Sequence, residues 1–179
     1  MSDNREHLID FDAYVKDLTA PGTFHDAVVS DPECPIKKAD VLLLTCMDFR
    51  FFLEIAQRMK GIRYDHVILA GAALGAVVAA KPNWHDTFFD HVGLAIRLHQ
   101  IERLVVMEHR DCGAYGPTRC GGFGLLPHNP DKKLERDVHE EQVAKLKDQM
   151  ERRYEGLGFE AFLLEKPPES DTLTFDKLI

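Results

Sequence analysis

Four short apolar runs constrain this chain more than anything else in it. They occupy residues 39–45, 65–70, 102–108 and 159–164. Each is nearly continuous, rich in aliphatic residues and about one strand long, the pattern of strands buried on both faces of a sheet. Helical patterns stand between them. Asp48 can cap a helix whose apolar face carries Phe52, Ile55, Ala56 and Met59, with Gly61 ending it. Phe88, Phe89, Val92, Ala95, Ile96 and His99 recur at helical spacing over about 85–99. A polar helix is expected over about 131–155, with Val138, Val143, Leu146 and Met150 as a sparse apolar stripe, stopped by Gly156 and Gly158. Strands alternating with helices predict an α/β fold: a parallel sheet with helices on both faces.

The other segments are read from their punctuation. Leu8, Phe11, Tyr14, Val15 and Leu18 suggest a short amphipathic helix, ended by Pro21-Gly22, so residues 1–38 are expected to be an N-terminal helix and connection. Gly71-Ala72-Ala73 reads as a small-residue turn, and 113–130 as a long Gly- and Pro-rich loop. The core spans 39–165, and residues 166–179 read as a polar tail or arm. One domain of 179 residues is expected, long enough to bury a sizeable core.

Composition removes several function classes. A net charge of −8 lacks the basic footprint of a general nucleic-acid binder. No apolar stretch reaches the roughly 18–20 residues of a membrane span. The N-terminus lacks the basic start and apolar stretch of a secretory signal, so a cytoplasmic protein is expected. Four cysteines in such a chain are read as metal ligands, reactive groups or buried fillers rather than a disulfide scaffold.

The chemistry concentrates where two of the apolar runs end. Cys46-Met47-Asp48-Phe49-Arg50 follows the first run, and His109-Arg110-Asp111-Cys112-Gly113 follows the third. Ligands in open parallel sheets sit beyond the carboxyl ends of strands, where the winding direction reverses. If the first and third strands are neighbours, the two segments meet there. Two cysteines and one histidine form a catalytic-type Zn2+ set, with a fourth position left for water, substrate or a nearby carboxylate. Asp48 has two readings: an active carboxylate held ionised by Arg50, or a helix cap beside a surface cation.

Cys-x-Asp-x-Arg followed by His-x-x-Cys-Gly resembles the β-class carbonic anhydrases, over roughly residues 39–165 and including the order of strands and helices. The resemblance implies a central four-stranded parallel sheet in the order 2-1-3-4, extended by dimerisation, so a homodimer or higher homo-oligomer is expected. It implies zinc held by Cys46, His109 and Cys112, with Asp48 and Arg50 as the active-site dyad. In that family zinc-bound hydroxide attacks carbon dioxide and gives bicarbonate, a carbonate dehydratase (lyase) activity. Two departures make the pocket less polar. Phe49 stands where family members usually carry Ser, and Ile68-Leu69-Ala70-Gly71-Ala72 replaces an Arg-Asn-Ala-Gly-type segment. A related branch hydrolyses carbon disulfide or carbonyl sulfide at the same centre, and a less polar pocket suits those substrates. A non-catalytic zinc-binding homologue is the third reading.

Secondary candidates are fewer. Cys120 is either a plain loop residue or a redox-sensitive thiol near the site, and Cys34 is expected to be structural. Among His25, His66, His85, His91, His99, His128 and His139, His128 in the long loop is the foremost proton-shuttle candidate. Tyr115 lines the cleft or packs the loop. The glycines match no phosphate-loop motif.

Overall fold

In a computed structural model of the protein, residues 37–167 and 172–179 are described. The expected N-terminal helix and Cys34 lie outside them. The elements run β1 (Val41–Thr45), α1 (Phe49–Arg58), β2 (Tyr64–Ile68), α2 (Ala73–Val77), α3 (Pro82–His99), β3 (Arg103–His109), a 3-10 turn (Thr118–Cys120), α4 (Lys132–Arg153), β4 (Gly158–Glu165) and β5 (Thr174–Lys177).

The described strands form one sheet in the order β2-β1-β3-β4-β5. The first four are parallel, and β5 runs antiparallel to β4. The four-stranded order 2-1-3-4 is present, but the sheet is one strand wider than expected, because the C-terminal segment is not a polar arm. Leu173, Phe175 and Leu178 are buried there, and Asp176 pairs with Arg136 of α4 at 3.1 Å. Three apolar side chains offset the ordering cost that would otherwise leave such a segment loose.

Strand alternation divides the core into two layers. Val41 and Leu43 face a cluster with Phe51 and Ile55 of α1 and its C-cap Met59, together with Val105, Met107, Phe162 and Phe175. Leu42 and Leu44 face the opposite cluster, with Phe88 and Val92 of α3 and Val143, Leu146 and Met150 of α4. β1 therefore sits at the centre, buried on both faces.

Three local expectations are corrected. The buried stripe of α1 is Phe51, Ile55 and Met59; Phe52 is 51% exposed and Ala56 is exposed. Ile55 and Met59 fit either phase, and the sheet selects the one that lays Phe51 on the His109 ring, 4.7 Å between centroids. β2 is half-exposed rather than buried, because it is the edge strand. The Gly71-Ala72-Ala73 turn leads directly into α2, and α3 begins at Pro82, whose missing N–H costs nothing in a first helical turn.

β1 leads through α1 to β2 on one side, and β2 leads through α2 and α3 to β3 on the other. The winding reverses between β1 and β3. The carboxyl ends of these neighbours carry the two chemical segments.

Candidate metal centre

Cys46 follows the last residue of β1. His109 is itself the last residue of β3 rather than a residue beyond it, and Cys112 lies in the turn that follows. One ligand atom from each lies within 4.8 Å of the others. The two sulfurs are 3.8 Å apart. Cys46 is half-buried, while His109 and Cys112 are buried.

The imidazole is oriented by a neighbour. Its Nδ1 lies 2.8 Å from the Arg110 carbonyl oxygen. A carbonyl only accepts, so Nδ1 carries the proton and donates it, and the lone pair of the neutral ring is left on Nε2. Nε2 is buried and makes no hydrogen bond among the described residues. An orphaned imidazole nitrogen facing two sulfurs is a donor set that fits a metal ion.

The sulfurs are electrostatically unequal. A hydrogen bond from Cys112 pushes the Cys46 pKa down to about 4 against the opposing effect of burial, and His109 and the Gly71 N–H act in the same direction as Cys112. Cys112 is pushed up, by its bond to Cys46 and by burial. A bound cation would take the place of the hydrogen bond between the two sulfurs. Burial pulls the His109 pKa down, but Cys46, the Arg110 carbonyl and Asp48 outweigh it and leave it raised.

Asp48 both caps α1 and is bound by Arg50. Its side chain accepts from Arg50 N–H at 3.0 Å, capping α1, and receives the Arg50 guanidinium from Nε at 2.9 Å and from Nη2 at 2.7 Å. The Arg50 hydrogen bond holds its carboxyl below the usual range, against burial. Asp48 Oδ2 lies 3.8 Å from His109 Nε2, beside the cluster. Arg50 also reaches the other segment, donating from Nη1 to Asp111 Oδ2 at 3.1 Å and from Nη2 to the Asp111 carbonyl at 3.0 Å. The guanidinium therefore fastens the two segments to each other.

Several residues of this site escaped sequence reasoning. Arg110 is buried between His109 and Cys112 in the chain and pairs with Glu135 and Glu165, each at 3.0 Å. Asp111 adopts φ +54° and donates its N–H to Glu135. Glu108 and His139 form a fully buried pair at 3.0 Å. The available signal was Glu108 itself, a carboxylate closing an otherwise apolar run. Glu135 carried no comparable mark, because it sits among the charges of a polar helix, and His139 was weighed only as one of several histidines rather than as a partner of Glu108.

The cluster opens into a cleft of about 570 Å³. Its walls are mostly apolar: Met47, Phe49, Ala70, Trp84, Ala114 and Phe123, with Asp48 and Lys81 as the charged lining. Cys120 is exposed and lines it as well. His128 lies in a separate cavity of about 200 Å³, which shares Cys112, Gly113 and Cys120 with the first. Tyr115 is fully buried and packs on His139.

Compared with solved structures, the chain resembles the β-carbonic anhydrase CafA of Aspergillus fumigatus, with a TM-score of 0.51 over 80% of this chain and 77% of that one at 10% identity. The fold is that of the β-carbonic anhydrases. At that identity the likeness speaks for the fold alone. A carbonic anhydrase of Streptococcus mutans (19% identical, TM-score 0.48, 94% of this chain and 97% of that one) and the apo form of a carbon disulfide hydrolase (13%, 0.47, 77% and 83%) are further matches. No protein-family model matches the sequence. Two uncharacterized rickettsial proteins are each 34% identical over 84 residues, 45% of this chain; that stretch is 51% of the Rickettsia bellii protein and 45% of the Rickettsia conorii one. The chain spans about half the length of the curated relatives it matches. Among the described residues, no helix is long and apolar enough to cross a membrane.

Proposed function

We propose that the chain is a zinc enzyme that converts carbon dioxide and water reversibly to bicarbonate and a proton. The observation that carries this reading is the Cys46, His109 and Cys112 trio, an orphaned imidazole nitrogen and two sulfurs within 4.8 Å at a cleft wall. These three residues would hold the metal. When bound, zinc supplies the Lewis acidity that makes water a nucleophile at neutral pH.

The rest is the work of the chain's own side chains. Arg50 keeps Asp48 ionised and turned toward the cluster, so that Oδ2 can accept and orient a water O–H there. Phe49, Ala70, Trp84 and Phe123 provide an apolar wall for a small uncharged substrate. Asp48 and Arg50 are thus proposed as the catalytic pair. The same wall favours a second reading, hydrolysis of carbon disulfide or carbonyl sulfide, because the positions beside the cluster are apolar where a bicarbonate-binding pocket would be polar.

A homodimer or larger homo-oligomer accompanies either reading. Phe49, Phe52 and Leu53 stand at i, i+3 and i+4 on α1 and are 87%, 51% and 66% exposed. Phe52 stacks on His66 of β2, so this stripe adjoins the edge of the sheet that the described strands form. A second copy of the chain is the proposed occupant.

Metal analysis of the purified protein tests the reading: one zinc per chain is expected, lost in Cys46→Ser. Stopped-flow hydration of carbon dioxide and sulfide release from carbon disulfide separate the two substrates. A zinc-loaded protein inactive in both assays would leave only a zinc-binding role.

A further inference from the structure

Glu108 is a buried acid that the proposed chemistry does not use. It is fully buried in β3 and, by strand alternation, faces away from its neighbour His109. One carboxylate oxygen accepts the Ala73 N–H at 2.8 Å. The other accepts from His139 Nδ1 at 3.0 Å, and His139 is equally buried, its ring 3.9 Å from that of Tyr115. A buried carboxylate is costly without donors, and these two satisfy it.

Ala73 closes the turn after β2, and that turn is strained. Gly71 has φ +77°, and a Cβ placed there would stand 3.0 Å from the Ala114 Cβ. Ala72 has φ +43° and ψ −106°, a conformation that residues bearing a Cβ rarely adopt, and it is fully buried. Strain of this kind persists only where the surroundings over-determine it. Here the turn is held at both ends. The Ala73 N–H goes to Glu108, and the Gly71 N–H goes to Cys46 Sγ at 3.3 Å.

We propose that Glu108, backed by His139, is a positioning residue for the candidate metal centre: it clamps the strained turn 71–73 so that the Gly71 N–H stays on the Cys46 sulfur. The inference rests on the metal-centre reading and deepens it. The Gly71 N–H is an outer partner of a ligand atom, and such partners orient the ligand and tune its affinity for metal. Glu108 acts through the backbone of the turn.

The test uses the full chain with E108A, E108Q and A72G, alone and combined. It reads zinc affinity by competition with a chromophoric chelator, and amide exchange over residues 69–76. E108A is expected to weaken zinc about 10- to 100-fold and to speed exchange in the turn about tenfold or more. E108Q keeps an oxygen for the Ala73 N–H and offers an amide N–H to the other tautomer of His139, so it should bind zinc within about threefold of the unaltered chain. Glycine adopts the Ala72 conformation without strain, so A72G in the E108A background should regain most of the lost affinity. Two results overturn the proposal: E108A binding zinc within about twofold of the unaltered chain, or an E108A loss that A72G leaves untouched. If E108A does not fold, E108D, one methylene too short to reach both donors, takes its place in the same comparison. An unaltered chain that binds no zinc defeats the metal reading itself, while exchange in the turn still decides whether Glu108 holds it.

Discussion

Replacing Glu135 by leucine should destabilise the protein by about 3 kcal/mol, because it removes one of the two carboxylates that pair with a buried arginine. Arg110 is 8% exposed and Glu135 is 5% exposed. The guanidinium also pairs with Glu165 and donates to the Lys132 carbonyl at 3.0 Å. Removing one partner of a buried ion pair costs roughly 3–5 kcal/mol when the remaining charge is uncompensated. Glu165 still compensates Arg110, but its side chain is 25% exposed, so the lower end of that range applies. Loss of the acceptor for the Asp111 N–H adds about 1 kcal/mol, and the buried leucine side chain offsets a similar amount. For a chain of this size, about 3 kcal/mol corresponds to a fall in Tm of roughly 6–12 °C. Urea unfolding followed by circular dichroism, with a thermal scan on the same samples, measures it. Glu135→Gln keeps one acceptor oxygen, for either Arg110 Nη1 or the Asp111 N–H, and should lose about half as much. A Glu135→Leu variant within about 1 kcal/mol of the unaltered chain would refute the account, because an exposed, dispensable pair behaves in that way.

Three further outcomes are expected. Removing zinc with a chelator should lower Tm by roughly 8–16 °C, from about 4 kcal/mol of binding energy at free zinc a thousandfold above Kd, and re-addition should restore it; a Tm indifferent to zinc in the unaltered chain would count against the metal centre. Phe49→Glu combined with Leu53→Glu should convert the proposed oligomer to a folded monomer in analytical ultracentrifugation, since both residues are exposed in the single chain; an unchanged sedimentation coefficient would remove this face from the interface. Burial pushes the Asp40 carboxyl up, but hydrogen bonds and charge from Arg63 outweigh it and leave its pKa lowered. A lowered folded pKa gives stability that is present above the unfolded value of about 3.9 and is lost as pH falls through the folded value. The urea-midpoint difference between the unaltered chain and Arg63→Met should therefore be constant from pH 7 to about 5 and shrink below about pH 4; a difference unchanged at pH 2 would refute it.

How far the site was legible in advance differs residue by residue. Cys46, His109 and Cys112 announced themselves because each stands at or near the end of an apolar run and each is a soft or borderline donor. Asp48 and Arg50 were visible as a pair, and the structure shows the carboxylate capping α1 while bound to the guanidinium. That Arg50 also binds Asp111 was not visible, because that contact joins two segments distant in sequence. The choice of Phe51 over Phe52 was likewise invisible. Both fit a helical stripe through Ile55 and Met59, and only the position of His109 beneath α1 separates them. The C-terminal strand was missed because three apolar residues among polar ones are too few to announce a strand until β4 offers its edge.

The sequence by itself determined the layered α/β architecture and the make-up of the candidate ligand set, because strand-length apolar runs and donor atoms are properties of single segments. Only the tertiary structure decided that β1 and β3 are neighbours, that one imidazole nitrogen is left facing two sulfurs, and that Glu108, Glu135 and Arg110 brace the turns around them. Those are distances between groups remote in the chain, and long-range packing alone sets them.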